Sequence, residues 1–184
     1  MDLHLKDRVV FITGPAKGMG RAVSLAFARE GARLVLVGRD TKAIDPVANE
    51  AQALGVSAIV LACDVTDDAQ TQDAVAKALA AFGSIDVLVN VAGGSGPIGK
   101  TGWETSTEEF NEIVELNMTG CFNTMRSVLP SMIERKEGRI VNVGGTFGMR
   151  GRAGRMAYSA SKWGDRKSTR LNSSHLGISY AVFC

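Results

Sequence analysis

The chain has 184 residues, 45% of them hydrophobic, and 21 Lys and Arg against 19 Asp and Glu give a formal charge of +2. That suits one soluble domain with a sizeable core, and the charge is too small to argue for nucleic acid or an anionic membrane as partner. No apolar run approaches the ~20 residues of a membrane helix, the charged stretch 1–8 lacks signal-peptide order, and Cys63, Cys121 and Cys184 are too few and scattered for a disulfide framework or a zinc site. A cytoplasmic protein without a metal is expected, and no ligand role is expected for His4 or His175 near the chain ends.

Apolar runs alternate with helical patterns. Residues 9–12, Val-Val-Phe-Ile, predict a buried strand that ends at a glycine turn. Residues 19–30 predict a helix, with Ala22, Val23, Ala26 and Phe27 at helical spacing and Gly31 at its stop. A second strand is predicted over 34–37. A helix over 42–54 carries Pro46 near its first turn, where proline is tolerated. A strand over 58–62, an alanine-rich helix over 67–82 and a strand over 85–89 follow. One long helix is predicted over about 107–135, opened by Ser106-Thr107-Glu108-Glu109, which supplies a cap and acidic charge. A fifth strand over 140–143 and a helix carrying Tyr158 complete the pattern. Alternating strands and helices with near-continuous apolar strands mean a parallel sheet covered on both faces, a doubly wound Rossmann-like α/β fold. Right-handed crossovers put the loops after the strands on one edge, where ligands bind.

Gly14, Gly18 and Gly20 lie between the first strand and first helix, in Thr13-Gly-Pro-Ala-Lys-Gly-Met-Gly20. Glycine permits the tight turn and close backbone approach to a pyrophosphate, and a helix N-terminus favours the anion. The second strand ends in Gly38-Arg39-Asp40. An acid at its end would bind a ribose 2′-hydroxyl and repel a 2′-phosphate. Gly38 offers no acid, while Arg39 and Lys17 offer cations that suit a phosphate, so NADP(H) is predicted over NAD(H). The alternative leaves both cations solvated and turns Asp40 inward. Tyr158 and Lys162 lie four residues apart in Tyr-Ser-Ala-Ser-Lys, hence on one helical face. An ammonium beside a phenol stabilises the phenolate, which makes the phenol an acid or base for catalysis.

These motifs resemble those of the short-chain dehydrogenase/reductase family over residues 5–164. The resemblance makes the segment 13–20 the cofactor turn, with Gly14, Lys17, Gly18, Met19 and Gly20 against the dinucleotide. It aligns Asp64-Val65 with the pair that contacts adenine. Asn90-Val91-Ala92-Gly93 resembles the signature after the fourth strand, with valine where a second asparagine is usual, which adds Asn90, Ala92 and Gly93 to the cofactor set. Asn117 falls at the active-site asparagine, implied to hold a water linking Lys162 to solvent. Tyr158 and Lys162 fall at the catalytic tyrosine and lysine, and both, with Lys162 on the nicotinamide ribose, also join Arg39 in the expected cofactor set. The implied activity is an NADP-dependent interconversion of a carbonyl and a secondary alcohol, similar to the 3-oxoacyl-carrier-protein reductases, on a small-molecule substrate. The implied assembly is a homo-oligomer, a dimer or tetramer built on the long helix and the Tyr158 helix. A different class, a dinucleotide-binding protein without catalysis, is suggested by one departure. The family's substrate-polarising serine falls on Gly145, and losing such a donor costs roughly a hundredfold or more in rate. Thr146 is adjacent and offers a hydroxyl. Trp103, Phe147, Met149 and Met156 are candidates for a substrate pocket, and Arg150, Arg152 and Arg155 form a basic cluster beside it.

Residues 165–184 break the helical apolar spacing. They resemble the translation of a common short-read sequencing adapter, GAT CGG AAG AGC giving Asp165 to Ser168 and ATC TCG TAT GCC GTC TTC TGC giving Ile178 to Cys184. Residues 1–164 are therefore expected to be the oxidoreductase segment and 165–184 a non-native tail. The family's sixth strand and substrate lid would then be missing. The fifth strand is expected to be an exposed apolar edge, and the chain as written is expected to be poorly stable and inactive.

Overall fold

A computed structural model describes residues 2–168 and 178–183, so His175 and Cys184 lie outside the described residues. The elements run β1 (Val9–Thr13), α1 (Gly18–Arg29), β2 (Arg33–Gly38), α2 (Thr41–Ala53), β3 (Ala58–Ala62), α3 (Asp68–Phe82), β4 (Val87–Asn90), α4 (Thr107–Val114), a π-helical turn (Glu115–Thr119), α5 (Gly120–Arg135), β5 (Gly138–Val143), a 3₁₀ turn (Thr146–Gly148), α6 (Met156–Ser168) and β6 (Ile178–Phe183). The strands form one parallel sheet in the order β3-β2-β1-β4-β5-β6. The winding direction reverses between β1 and β4, and a crevice opens above that point.

Side chains alternate between two cores, as strand geometry requires. Val9, Phe11, Leu88 and Ile140 face Val75 and Ala78 of α3 and Val128 and Met132 of α5. Val10, Ile12, Leu34 and Leu36 face Leu25 of α1 and Ile44 and Val47 of α2. Because both faces of β1 are covered, all its residues are buried, which is why its sequence reads as a continuous apolar run.

Three helix starts follow from their caps. Asp40 accepts from the Ala43 amide, Asp67 from Gln70, and Ser106 with Glu109 forms a reciprocal capping box. Asp40 thus turns to cap α2. Pro46 sits further inside α2 than expected: α2 starts at Thr41, so Pro46 is beyond the first turn and removes an amide that would bond one turn back. The long helix also differs. Its path over 107–135 is helical, but the π turn at Glu115–Thr119 divides it into α4 and α5.

The expected exposed edge at β5 is corrected. β6 lies parallel to β5, with Gly138 opposite Ile178 and Val143 opposite Phe183. The reason is visible in Ile-Ser-Tyr-Ala-Val-Phe: an uncharged, β-branched and aromatic stretch suits a strand whatever its origin, and an open parallel edge offers it unpaired amides and carbonyls. The helix α6 runs to Ser168. Among the described residues no helix is long and apolar enough to cross a membrane.

Candidate active site

The glycine turn opens the crevice. Gly14 has φ of +66°, and a Cβ there would come within 2.9 Å of the Ala92 Cα; a Cβ on Gly20 would overlap the Gly14 carbonyl. Gly18, at φ +53°, faces open space. No side chain caps α1, which leaves its first-turn amides to an anion. Thr13 ties the two central loops together, its Oγ1 accepting from the amides of Val91 and Ala92 at 3.1 Å each. A cavity of about 170 Å³ runs beside the turn, bounded by Gly14, Gly38, Arg39, Asp64, Val65 and Ala92. Arg39 reaches across it, 74% exposed, with Nη1 3.8 Å from an Asp64 oxygen. The other Asp64 oxygen accepts from the amide and hydroxyl of Thr66. This turn, too close to neighbouring backbone for side chains at Gly14 and Gly20, and the uncapped start of α1 beside it fit a dinucleotide.

A second cavity of about 180 Å³ continues along the crevice between Met19, Gly93, Gly94, Gly144, Tyr158 and Lys162. Lys162 is buried, and its Nζ donates to the Val143 carbonyl at 2.9 Å. Phe147 meets the Tyr158 ring edge to face at 6.2 Å, and the Arg155 guanidinium lies 4.8 Å from that ring's centre. The departure at Gly145 acquires a spatial meaning, because a Cβ on Gly145 would overlap the Tyr158 hydroxyl. The room that a serine would take is held by the phenol. Thr146 is exposed, opens the 3₁₀ turn and does not line the cavity.

Asn117 is buried in the π turn. Its Nδ2 donates to the Gly94 carbonyl at 3.0 Å and to Ser161 Oγ at 2.9 Å, and its Oδ1 accepts from the Gly94 amide at 2.9 Å. The carboxamide is occupied in joining the β4 loop to α6. Asn90 lines neither cavity. Its side chain turns into the core, donating to Asn142 Oδ1 at 2.9 Å and accepting from the Thr124 hydroxyl at 2.8 Å. Lys17 is exposed ahead of α1. Of the candidate pocket residues, Trp103 is 88% exposed and Met156 packs near Gly102, while Phe147 alone meets Tyr158.

Sequence reasoning missed three buried polar residues: Asn142 and Thr124, which both hydrogen-bond Asn90, and Ser161, which accepts from Asn117. Asn142 was the findable one, an amide between valines in an otherwise apolar strand. It also missed that Asp165 turns inward. Asp165 is 2% exposed, with Oδ2 3.9 Å from Lys162 Nζ. Burial pushes its carboxyl above the usual carboxylate range, opposed by the Lys162 charge and a bond with the Cys121 thiol. Burial raises the Cys121 thiol well above its ordinary value, and that of Cys63 more modestly.

A six-stranded sheet of this order, with a glycine cradle at its switch point, defines a Rossmann-like dinucleotide-binding protein. Residues 8–177 match the family described as short chain dehydrogenase, and the chain belongs to that family. The 3-oxoacyl-[acyl-carrier-protein] reductase FabG of Thermotoga maritima is 35% identical over 162 residues, 88% of this chain and 65% of that protein. The granaticin polyketide synthase putative ketoacyl reductase 1 of Streptomyces violaceoruber is 34% identical over 96% of this chain and 66% of its own length. The chain thus spans about two thirds of these relatives. Among solved structures, NAD+-bound xylitol dehydrogenase superposes with a TM-score of 0.91 at 28% identity, covering 95% of this chain and 68% of that one. Actinorhodin polyketide ketoreductase with NADPH, in its F189W form, gives 0.91 at 33% identity, covering 97% and 69%.

Proposed function

We propose that this chain derives from an NADP-dependent oxidoreductase that interconverts a carbonyl and a secondary alcohol on a small molecule. The observation that carries the reading is the shared cavity of Tyr158, Lys162, Gly93 and Met19, which adjoins the glycine cradle at Gly93. When bound, the nicotinamide supplies or takes up the hydride. In the reducing direction the Tyr158 hydroxyl gives its proton to the substrate oxygen. The buried Lys162 ammonium stabilises the phenolate left behind and reaches toward the nicotinamide ribose. With the Asn117 side chain engaged by Gly94 and Ser161, its backbone within the π turn is the seat for the water that returns a proton through Lys162.

Gly14, Gly18, Met19 and Gly20 cradle the pyrophosphate, with Lys17 at its rim. Asp64 and Val65 would border the adenine, and Ala92 and Gly93 would line the rest of the cofactor's site. Asn90 supports this set from below. Arg39, exposed at the end of β2, binds the 2′-phosphate, which is the basis for preferring NADP over NAD. FabG-like and polyketide ketoreductase relatives support a ketoacyl-like substrate. Exposed Phe122 and Ile133 on α5 and Trp163 on α6 support assembly through those helices into a homo-oligomer; its cytoplasmic location rests on the sequence reading alone. Residues 1–164 are read as the oxidoreductase segment and 165–184 as a non-native tail, which the nucleotide sequence around codon 165 tests directly.

Fluorescence titration of the chain with NADPH and NADH tests the binding half. Tyr158→Phe should leave NADPH binding intact and, placed in the complete protein, abolish dinucleotide-linked turnover; retained turnover would sink the reading. The second reading, binding without catalysis, rests on the missing serine hydroxyl at Gly145 and predicts that the complete protein never exchanges hydride.

A further inference from the structure

Three arginines stand in the seven residues between the 3₁₀ turn and α6, at Arg150, Arg152 and Arg155. Among the described residues none of them makes an ion pair with a carboxylate. The acids of the neighbouring loop are engaged elsewhere: Glu104 accepts from the Thr101 amide and hydroxyl, and Glu109 pairs with Lys100. Two of the guanidiniums lie against aromatic rings, Arg152 exposed and Arg155 half-buried. Arg152 lies 5.1 Å from the centre of Phe147, and Arg155 lies 5.9 Å from Phe147 and 4.8 Å from Tyr158. The Arg155 Nε is buried and has no hydrogen-bond partner. A hydrogen bond from the Gly99 amide to the Gly154 carbonyl, at 3.1 Å, holds this loop against the loop after β4. The ring that bears the reacting hydroxyl is thus overlaid by a cation whose charge nothing in the described protein neutralises.

We propose that Arg155, assisted by Arg152, recognises an anionic group close to the substrate carbonyl, so that the substrate class is a short oxo acid or oxo phosphate. The inference rests on the oxidoreductase reading above, since it takes Tyr158 as the group that meets the carbonyl. A planar guanidinium presents several donors in a fixed fork suited to a carboxylate or phosphate. Stacked on Phe147 and Tyr158, it is also held in place before the substrate arrives, which reduces the ordering that binding requires. A carboxylate near the carbonyl would meet Arg155 while its carbonyl oxygen meets the Tyr158 hydroxyl. A neutral ketone would leave the same cation unmet.

The test uses the full 184-residue chain saturated with NADP+, so that added carbonyl compounds bind without turning over. Ligand-observed saturation-transfer NMR would measure acetoacetate, acetonyl phosphate and the neutral methyl acetoacetate, with the NADP+ resonances read in the same spectra. One or both anions should bind at least about tenfold tighter than the ester, a difference of ~1.4 kcal/mol, and the tighter anion identifies carboxylate or phosphate. Arg155→Met should remove that preference, and Arg152→Met should reduce it, with the NADP+ signals unchanged in both. Ester binding as tight as that of both anions in the parent chain would overturn the proposal, as would an anion preference that survives Arg155→Met. Should Arg155→Met fail to fold, Arg152→Met and the parent comparison decide it in the same way. Loss of the NADP+ signals in the parent chain would instead count against the dinucleotide reading itself.

Discussion

The Tyr158 hydroxyl occupies the volume that a side chain at Gly145 would need. The two positions are therefore coupled. Restoring a side chain at 145 forces either the phenol or the loop to move, and overpacking of this kind costs about 1–3 kcal/mol. Gly145→Ala should destabilise the chain by that order in urea denaturation. In a Tyr158→Phe background the penalty should shrink, because the oxygen it meets first is gone, although the ring carbon behind it remains within 3.2 Å. Additive effects in this double-mutant cycle would show that the loop, and not the phenol, absorbs the new carbon.

On the proposed reading Arg39 is the residue that favours NADPH over NADH. It is largely exposed, and its long contact with Asp64 leaves the guanidinium available to a 2′-phosphate. Arg39→Ala should weaken NADPH binding by about tenfold, equivalent to ~1.4 kcal/mol, and leave NADH binding unchanged. Parallel fluorescence titrations check this. Equal losses for the two dinucleotides would mean that Arg39 supports the adenine cavity without reading the phosphate.

What was legible from sequence and what was not divides along physical lines. Strand and helix order could be read because β1 and β2 are covered on both faces and leave unbroken apolar runs, and because Asp67 and Ser106 announce their helices by capping. The glycine turn and the Tyr158–Lys162 spacing could be read because backbone approach and helical periodicity leave local marks. The π turn at Glu115–Thr119 left none, since its cause is the tertiary need to bring Asn117 to Gly94 and Ser161. The strand at Ile178–Phe183 falls in the segment that resembles a translated adapter and is therefore not expected, yet strand pairing responds to six residues and an open edge. The arginine stack could be seen only as a charge cluster, because cation–π geometry depends on where Phe147 points.

Asn90, Asn142 and Thr124 form a buried polar bridge between β4, β5 and α5 beneath the crevice. Removing one partner strands the others without water, which costs about 1–3 kcal/mol. Asn142→Ala should therefore lower stability by that order and weaken dinucleotide binding only in proportion to the unfolded fraction. A direct loss of NADPH affinity in fully folded protein would instead make Asn142 a contact residue.

Asp165 gives the chain a specific pH dependence. Its folded carboxyl is raised above the ordinary value chiefly by burial, with the Lys162 charge and the Cys121 thiol only partly compensating. The protonated form is thus favoured by folding. The stability this group contributes is present in full below about pH 4, near the unfolded value, and is lost as pH rises through the higher folded value. Asp67 and Glu109 shift the opposite way, their carboxyls lowered by hydrogen bonds, from Gln70 for Asp67 and first from Lys100 for Glu109, so the chain's overall profile mixes both signs. Comparison with Asp165→Asn isolates the one group, since every other carboxylate is common to both proteins. The asparagine variant should gain on the parent as pH rises above about 4, measured by urea denaturation at each pH. A parent that gains on the variant over that range would mean that attraction to Lys162 outweighs the burial of the charge.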